Sequence, residues 1–95
     1  MFEALEHFAG AYFHQDWDLD SETPMDVVRL FRSGEPAEET AALIGEIELL
    51  LRTFDEPQIG KMWLDDWGGS YDPRDDGMSY HDWFGQVRAV LREPH

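Results

Sequence analysis

Residues 37–54 read AEETAALIGEIELLLRTF, and this stretch decides the fold class. Leu43, Ile44, Ile47, Leu50, Leu51 and Phe54 recur at intervals of three and four. That spacing puts them on one face of an α-helix. Glu38, Glu39, Glu46 and Glu48 fall off the stripe, as a solvated face requires. The same period extends outward in both directions. Phe2, Leu5, Phe8, Ala9, Tyr12 and Phe13 share a helical face over roughly residues 2–14. Thr23, Pro24 and Asp26 form a helix start, with a capping hydroxyl, a proline in the first turn and an acid near the amide end. Met25, Val28 and Phe31 then face inward with Val27 and Leu30 beside them, and Gly34 ends the helix. Ile59, Met62, Trp63 and Trp67 predict a fourth helix that begins near Asp55 and Pro57 and stops at Gly68-Gly69. Ser79 and Asp82 resemble a capping box, and Trp83, Phe84, Val87 and Leu91 define a last helix before Pro94. No stretch sustains the two-residue alternation of a strand. The expected fold is all-α, one domain over residues 1–95, a bundle of about five helices.

Composition narrows the function. With 95 residues the core must rely on large side chains, and four Trp, six Phe and three Tyr supply them. The absence of cysteine excludes disulfides, thiolate catalysis and Cys-ligated zinc. The N-terminus MFEALEHF carries no basic residue and is not a secretory signal, so a cytoplasmic protein is expected. The formal net charge of -14 argues against binding nucleic acid or anionic lipid, because phosphates would be repelled. It favours a basic protein partner. Residues 1–22 are a purely negative block, with six acids and no Lys or Arg.

Three chemical sites can be tested. Asp16, Asp18 and Asp20 match the first positions of a calcium loop, but Ser21 stands at the required Gly and Val27 at the required Glu. Starting at Asp72, Arg74 puts a cation at the third position and Trp83 replaces the Glu. His7 and His14, seven apart, suggest a shared helix face, yet no H-E-x-x-H motif is present. His14 reads better as a histidine at a helix end, interacting with the last carbonyls. No nucleophile elbow or phosphate loop exists, and His81 and Asp82 point about 100° apart on a helix. Neither a catalytic site, a cofactor nor a metal is expected.

The stretches YFHQDWDLD (12–20) and YDPRDDGMSYHDWFGQVRAVL (71–91), flanking a Glu- and Leu-rich middle, carry a resemblance. In this order they resemble the immunity proteins of bacterial contact-dependent growth inhibition systems. The resemblance covers nearly the whole chain. It implies a small helical cytoplasmic protein without catalytic activity that binds the C-terminal toxin domain of a delivered effector, often a nuclease. It also implies structural roles for Trp17, Pro73, Gly77, Tyr80 and Trp83. The expected partner contacts are the acidic segment Asp16, Asp18, Asp20 and Glu22, and the segment of Asp65, Asp66, Tyr71, Asp72, Asp75 and Asp76. The alternative is an acidic adaptor that binds a basic host protein.

Overall fold

The computed structural model describes residues 1–94 and, within them, every side chain but that of Asp20. Six helices follow one another among the described residues: α1 (Glu3–His7), α2 (Trp17–Asp20), α3 (Pro24–Gly34), α4 (Ala37–Thr53), α5 (Glu56–Lys61) and α6 (Tyr80–Leu91). α1 runs directly into a π-helical turn, Phe8–Tyr12, and α5 into another, Met62–Asp66. A 3₁₀ turn, Pro73–Asp76, precedes α6. The all-α class and helix order agree with the periodicity. The addition is α2, a single turn too short for periodicity to reveal.

The stripe of α4 behaves as its spacing predicts. Leu43, Ile47 and Leu50 are fully buried, with Ile44 and Leu51 packed at their edges. α4 lies against α1 and α6, and α3 packs on α6. The π turns explain how residues five apart share a face. In an α-helix five residues turn about 500°, which leaves them roughly 140° out of line. An i→i+5 turn removes that offset. The Phe13 amide donates to the Phe8 carbonyl at 3.3 Å, and the rings of Phe8 and Phe13 are both buried, 5.1 Å apart. The Trp67 amide donates to the Met62 carbonyl at 2.9 Å in the same way.

Trp63 sits at the centre of the aromatic core. Its ring lies 5.3 Å from Trp83, 5.5 Å from Phe13 and Phe84, and 5.9 Å from Phe8. Its indole N–H donates to the Tyr71 carbonyl at 2.7 Å, so this buried polar atom is satisfied. The chain must fold back over Trp63 to bring Tyr71 there. Gly68 does so with φ at 74°, and Gly69 lies so close that a Cβ would stand 2.3 Å from the ring.

Carboxylates close the helix ends. Thr23 and Asp26 form a reciprocal capping box on α3, and Asp55 and Gln58 form one on α5. The Ser79 hydroxyl accepts from the Asp82 amide at 3.0 Å. Two caps come from distant helices. Glu46 of α4 accepts from the Ala4 and Leu5 amides at 3.1 and 2.9 Å, and Glu56 accepts from the Tyr80 and His81 amides, both at 2.7 Å. Each carboxylate satisfies two amides that a helix start leaves without partners.

Gly69→Ala is therefore expected to destabilise the protein by about 2 kcal/mol or more, because the ring and backbone have no room to yield. Gly45→Ala, on α4 with open space at its Cβ, should be neutral or stabilising by about 0.5–1 kcal/mol. Equilibrium urea unfolding of the two variants checks both; equal stability would contradict the packing at Trp63.

Candidate protein-interaction face

After Phe13 the chain turns sharply through His14 to Asp16. The Trp17 amide donates to the His14 carbonyl at 3.0 Å, and the Asp16 amide donates to His14 Nδ1 at 3.1 Å. His14 thus interacts at this helix end as an acceptor from an amide, the reverse of the carbonyl contact expected from its position. The turn is pinned by Trp17, whose ring lies 5.8 Å from Phe13 and 5.5 Å from Tyr71. Trp17 packs inward against these two core rings. Asp16, Asp18 and Glu22 are exposed, and Leu19 between them is 79% exposed. None of these three acids forms an ion pair or side-chain hydrogen bond among the described residues. The expectation for Asp20 concerns a side chain outside those described.

The second acidic segment is spent differently. Asp72 caps the 3₁₀ turn through the Arg74 amide at 3.0 Å and grips the Arg74 guanidinium at 2.7–3.1 Å. It also accepts from the Tyr80 hydroxyl at 3.2 Å. The Arg74 hydrogen bonds hold its carboxyl below the usual range, against a smaller opposing push from burial. Asp76 accepts from the Tyr71 hydroxyl at 2.6 Å. Burial, reinforced by Asp76, raises the Tyr71 phenol. The Tyr71 ring is only 8% exposed and belongs to the core. There it supports Trp17 with its ring and Asp76 with its hydroxyl. Gly77, with φ at 76°, ends the turn in the left-handed region. Asp66 pairs with Lys61 at 3.5 Å, while Asp65 and Asp75 are exposed without side-chain partners among the described residues.

The two segments are neighbours. The Ser70 amide donates to the Phe13 carbonyl at 2.8 Å, and Trp17 packs on Tyr71. The α2 turn that carries Asp16 and Asp18 thus packs beside the segment that leads into the Asp72–Asp76 turn. Asp65 and Asp66 stand apart, ahead of Trp67, which packs on Phe2.

Other titratable clusters are internal. The Tyr12 hydroxyl donates to Glu35 at 2.7 Å, and His7 Nε2 lies 3.5 Å from the same carboxylate. Burial and Glu35 push the Tyr12 phenol up to about 12. His7 and His14 do not converge, because the π turn and the break after it separate their faces. No three His, Asp or Glu residues gather as a metal-binding group among the described residues. His81 pairs with Glu56 across the α5–α6 junction, a partner that its neighbour Asp82 could not be. The sequence signal for Glu56 was available: it stands in the first turn of a helix opened by Asp55 and Gln58.

The fold defines a small helical domain with exposed carboxylates that have no ion-pair partner among the described residues, Asp16, Asp18 and Glu22 among them. The chain belongs to the CdiI immunity protein family, whose model matches residues 1–91. It is also similar to a chain in the crystal structure of a CdiA-CT/CdiI complex from Y. kristensenii 33638. The TM-score is 0.89 at 20% identity, over 96% of this chain and 98% of that one. At that identity the likeness establishes the fold. No curated protein matches the chain significantly. No helix among the described residues is long and apolar enough to cross a membrane.

Glu56 gives a pH prediction. Burial works against its charge, but the His81 ring and the two α6 amides outweigh it, and its carboxyl lies below the ordinary value. A lowered folded value stabilises the protein above the ordinary Glu range and loses that contribution as pH falls through the folded value. The stability gap between the protein and Glu56→Gln should be full at pH 7, begin to narrow near about pH 4.3 and close below it. Urea midpoints across pH measure it; a gap that ignores pH would remove the ionic part of this cap.

Proposed function

We propose that this protein binds and neutralises the C-terminal toxin domain of a contact-dependent growth inhibition effector, in the cytoplasm and without catalysis of its own. Membership in the CdiI immunity protein family carries this reading. The CdiA-CT/CdiI complex of the Y. kristensenii relative supplies the type of partner. The electrostatics supply a preference among toxins. A nuclease domain must be positive where it holds phosphates, and a net charge of -14 draws such a surface in. Steered association reaches about 10⁸–10⁹ M⁻¹s⁻¹ at low salt, against roughly 10⁵–10⁶ without steering. An immunity protein must capture its toxin before damage accumulates, so a fast on-rate matters as much as affinity.

The face around α2 fits this task. Asp16, Asp18 and Glu22 have no side-chain partner among the described residues, so pairing with Lys or Arg of a partner breaks none of the described ion pairs. Leu19 adds apolar area that excludes water once covered. Asp72 already holds Arg74, and its charge contributes mainly to the local field.

Co-expression with the toxin domain encoded immediately upstream should rescue growth and yield a co-purifying complex. Absence of both would end the immunity reading. Within that complex, the triple change Asp16→Asn, Asp18→Asn and Glu22→Gln should slow association about tenfold at low salt, with little effect on dissociation. Stopped-flow measurement at rising ionic strength should show the wild-type rate falling toward that of the triple variant. An association rate indifferent to salt would refute the steering account while leaving the complex intact.

A further inference from the structure

A cleft of about 150 Å³ opens between the start of α3, the turn before α6 and α6 itself. Met25 at the start of α3, Tyr71, Asp76 and Met78 from the turn, and Trp83 and Gln86 of α6 line it. Its composition differs from the acid-rich surface around it. Met25 and Met78 are half-buried, and their flexible thioethers adapt to a guest. Asp76 stands exposed at the rim; one of its oxygens holds the Tyr71 hydroxyl, and the other has no partner among the described residues. Trp83 is 1% exposed, yet its indole N–H is buried without an acceptor. A buried donor left unpaired costs about 1–3 kcal/mol, and the other buried core indole, that of Trp63, has its acceptor. Trp83 lines the cleft, but its N–H lies beneath the surface with no acceptor among the described residues.

We propose that this cleft seats a lysine or arginine side chain of the toxin domain, a proposal that rests on the toxin-binding reading above. The methylene stem lies between Met25 and Met78. The cationic head meets Asp76 at the rim, with the exposed Asp75 next to it in the chain. Charge complementarity selects the occupant: an acidic side chain would be repelled by Asp76 and by the net charge of -14, and a purely apolar one would desolvate Asp76 without compensation. One long cation satisfies both the apolar floor and the charged rim, because Lys and Arg pack their stems on apolar surface and keep their heads polar. The cleft then acts as the specificity-determining feature of a face whose remaining acids act through steering.

The test uses the full chain and the toxin domain encoded upstream, titrated by calorimetry. Gln86→Arg places a cation at the mouth of the cleft, and Asp76→Asn removes the rim charge while keeping an acceptor for Tyr71. Glu38→Gln, exposed on α4, makes the same change in net charge outside the cleft. Circular dichroism melting confirms that each variant folds. The expected result is a loss of about tenfold or more in affinity for Gln86→Arg and Asp76→Asn, the scale of a hot-spot contact, with Glu38→Gln unchanged. Wild-type binding with all three variants equally tight would overturn the cleft and leave the toxin-binding function standing. Failure of the wild-type chain to bind the toxin would overturn the function, and the cleft with it.

Discussion

The structure depends on the place of one side chain, Trp63. It reaches the core from the π turn after α5, meets rings from both ends of the chain, and hydrogen-bonds the backbone of the Gly68–Tyr71 return. Every later feature inherits that geometry. The return brings Ser70 to the Phe13 carbonyl and Tyr71 to Trp17. Trp17 in turn fixes a helix of one turn, which could not hold its shape alone because nucleating so short a segment is unfavourable. A small domain cannot bury much surface, so a single large ring that links three segments does the work of a wider core.

The net charge of -14 poses the opposite problem, since like charges on a small surface repel and favour the unfolded chain. The fold answers by converting part of its acid content into structure. Glu46 and Glu56 each cap a helix from a distance, Asp26 and Asp55 cap locally, and Asp72 organises the turn before α6. These carboxylates face helix N-termini, where partial positive charge receives them. The acids left over are those with no such partner, and Asp16, Asp18 and Glu22 are clustered among them. The surface charge available to a partner is what remains after the fold has taken its share.

The sequence made most of the fold legible, because long amphipathic segments declare themselves. The stripe Leu43–Ile47–Leu50 and the Thr23-Pro24-Asp26 start were read without ambiguity. The short and the irregular were not. A π turn looks like an α-helix to a 3.6-residue pattern, so the common face of Phe8 and Phe13 was inferred without its cause. α2 is a single turn and has no period to detect. The tertiary caps were invisible for another reason: Glu46 is one acid among four on its helix, and only the approach of α1 distinguishes it. The candidate site was half legible. Acidic segments can be read as acidic, but pairing within them cannot, so Asp72 and Asp18 looked alike when one is neutralised by Arg74 and the other is open. The burial of Tyr71 had no local signal, since it follows from the Trp63 hydrogen bond to its carbonyl.

That difference between paired and open acids bears on how a binding face of this kind evolves and discriminates. Residues whose carboxylates maintain the fold are constrained twice, by stability and by any contact they make. Residues such as Asp16, Asp18 and Leu19 answer to no internal partner, so changing them alters recognition at little structural cost. Trp17 and Tyr71 hold this variable turn against a fixed core. For the proposed toxin partner this turn would be a platform held in place by core aromatics, which lowers the ordering cost of binding. Fast capture follows from net charge, a global property that many sequences can supply. Discrimination among basic partners needs something charge alone cannot give, a shaped feature with defined apolar walls. On this molecule the Met25–Met78 cleft is the place on the acidic face where shape and charge coincide.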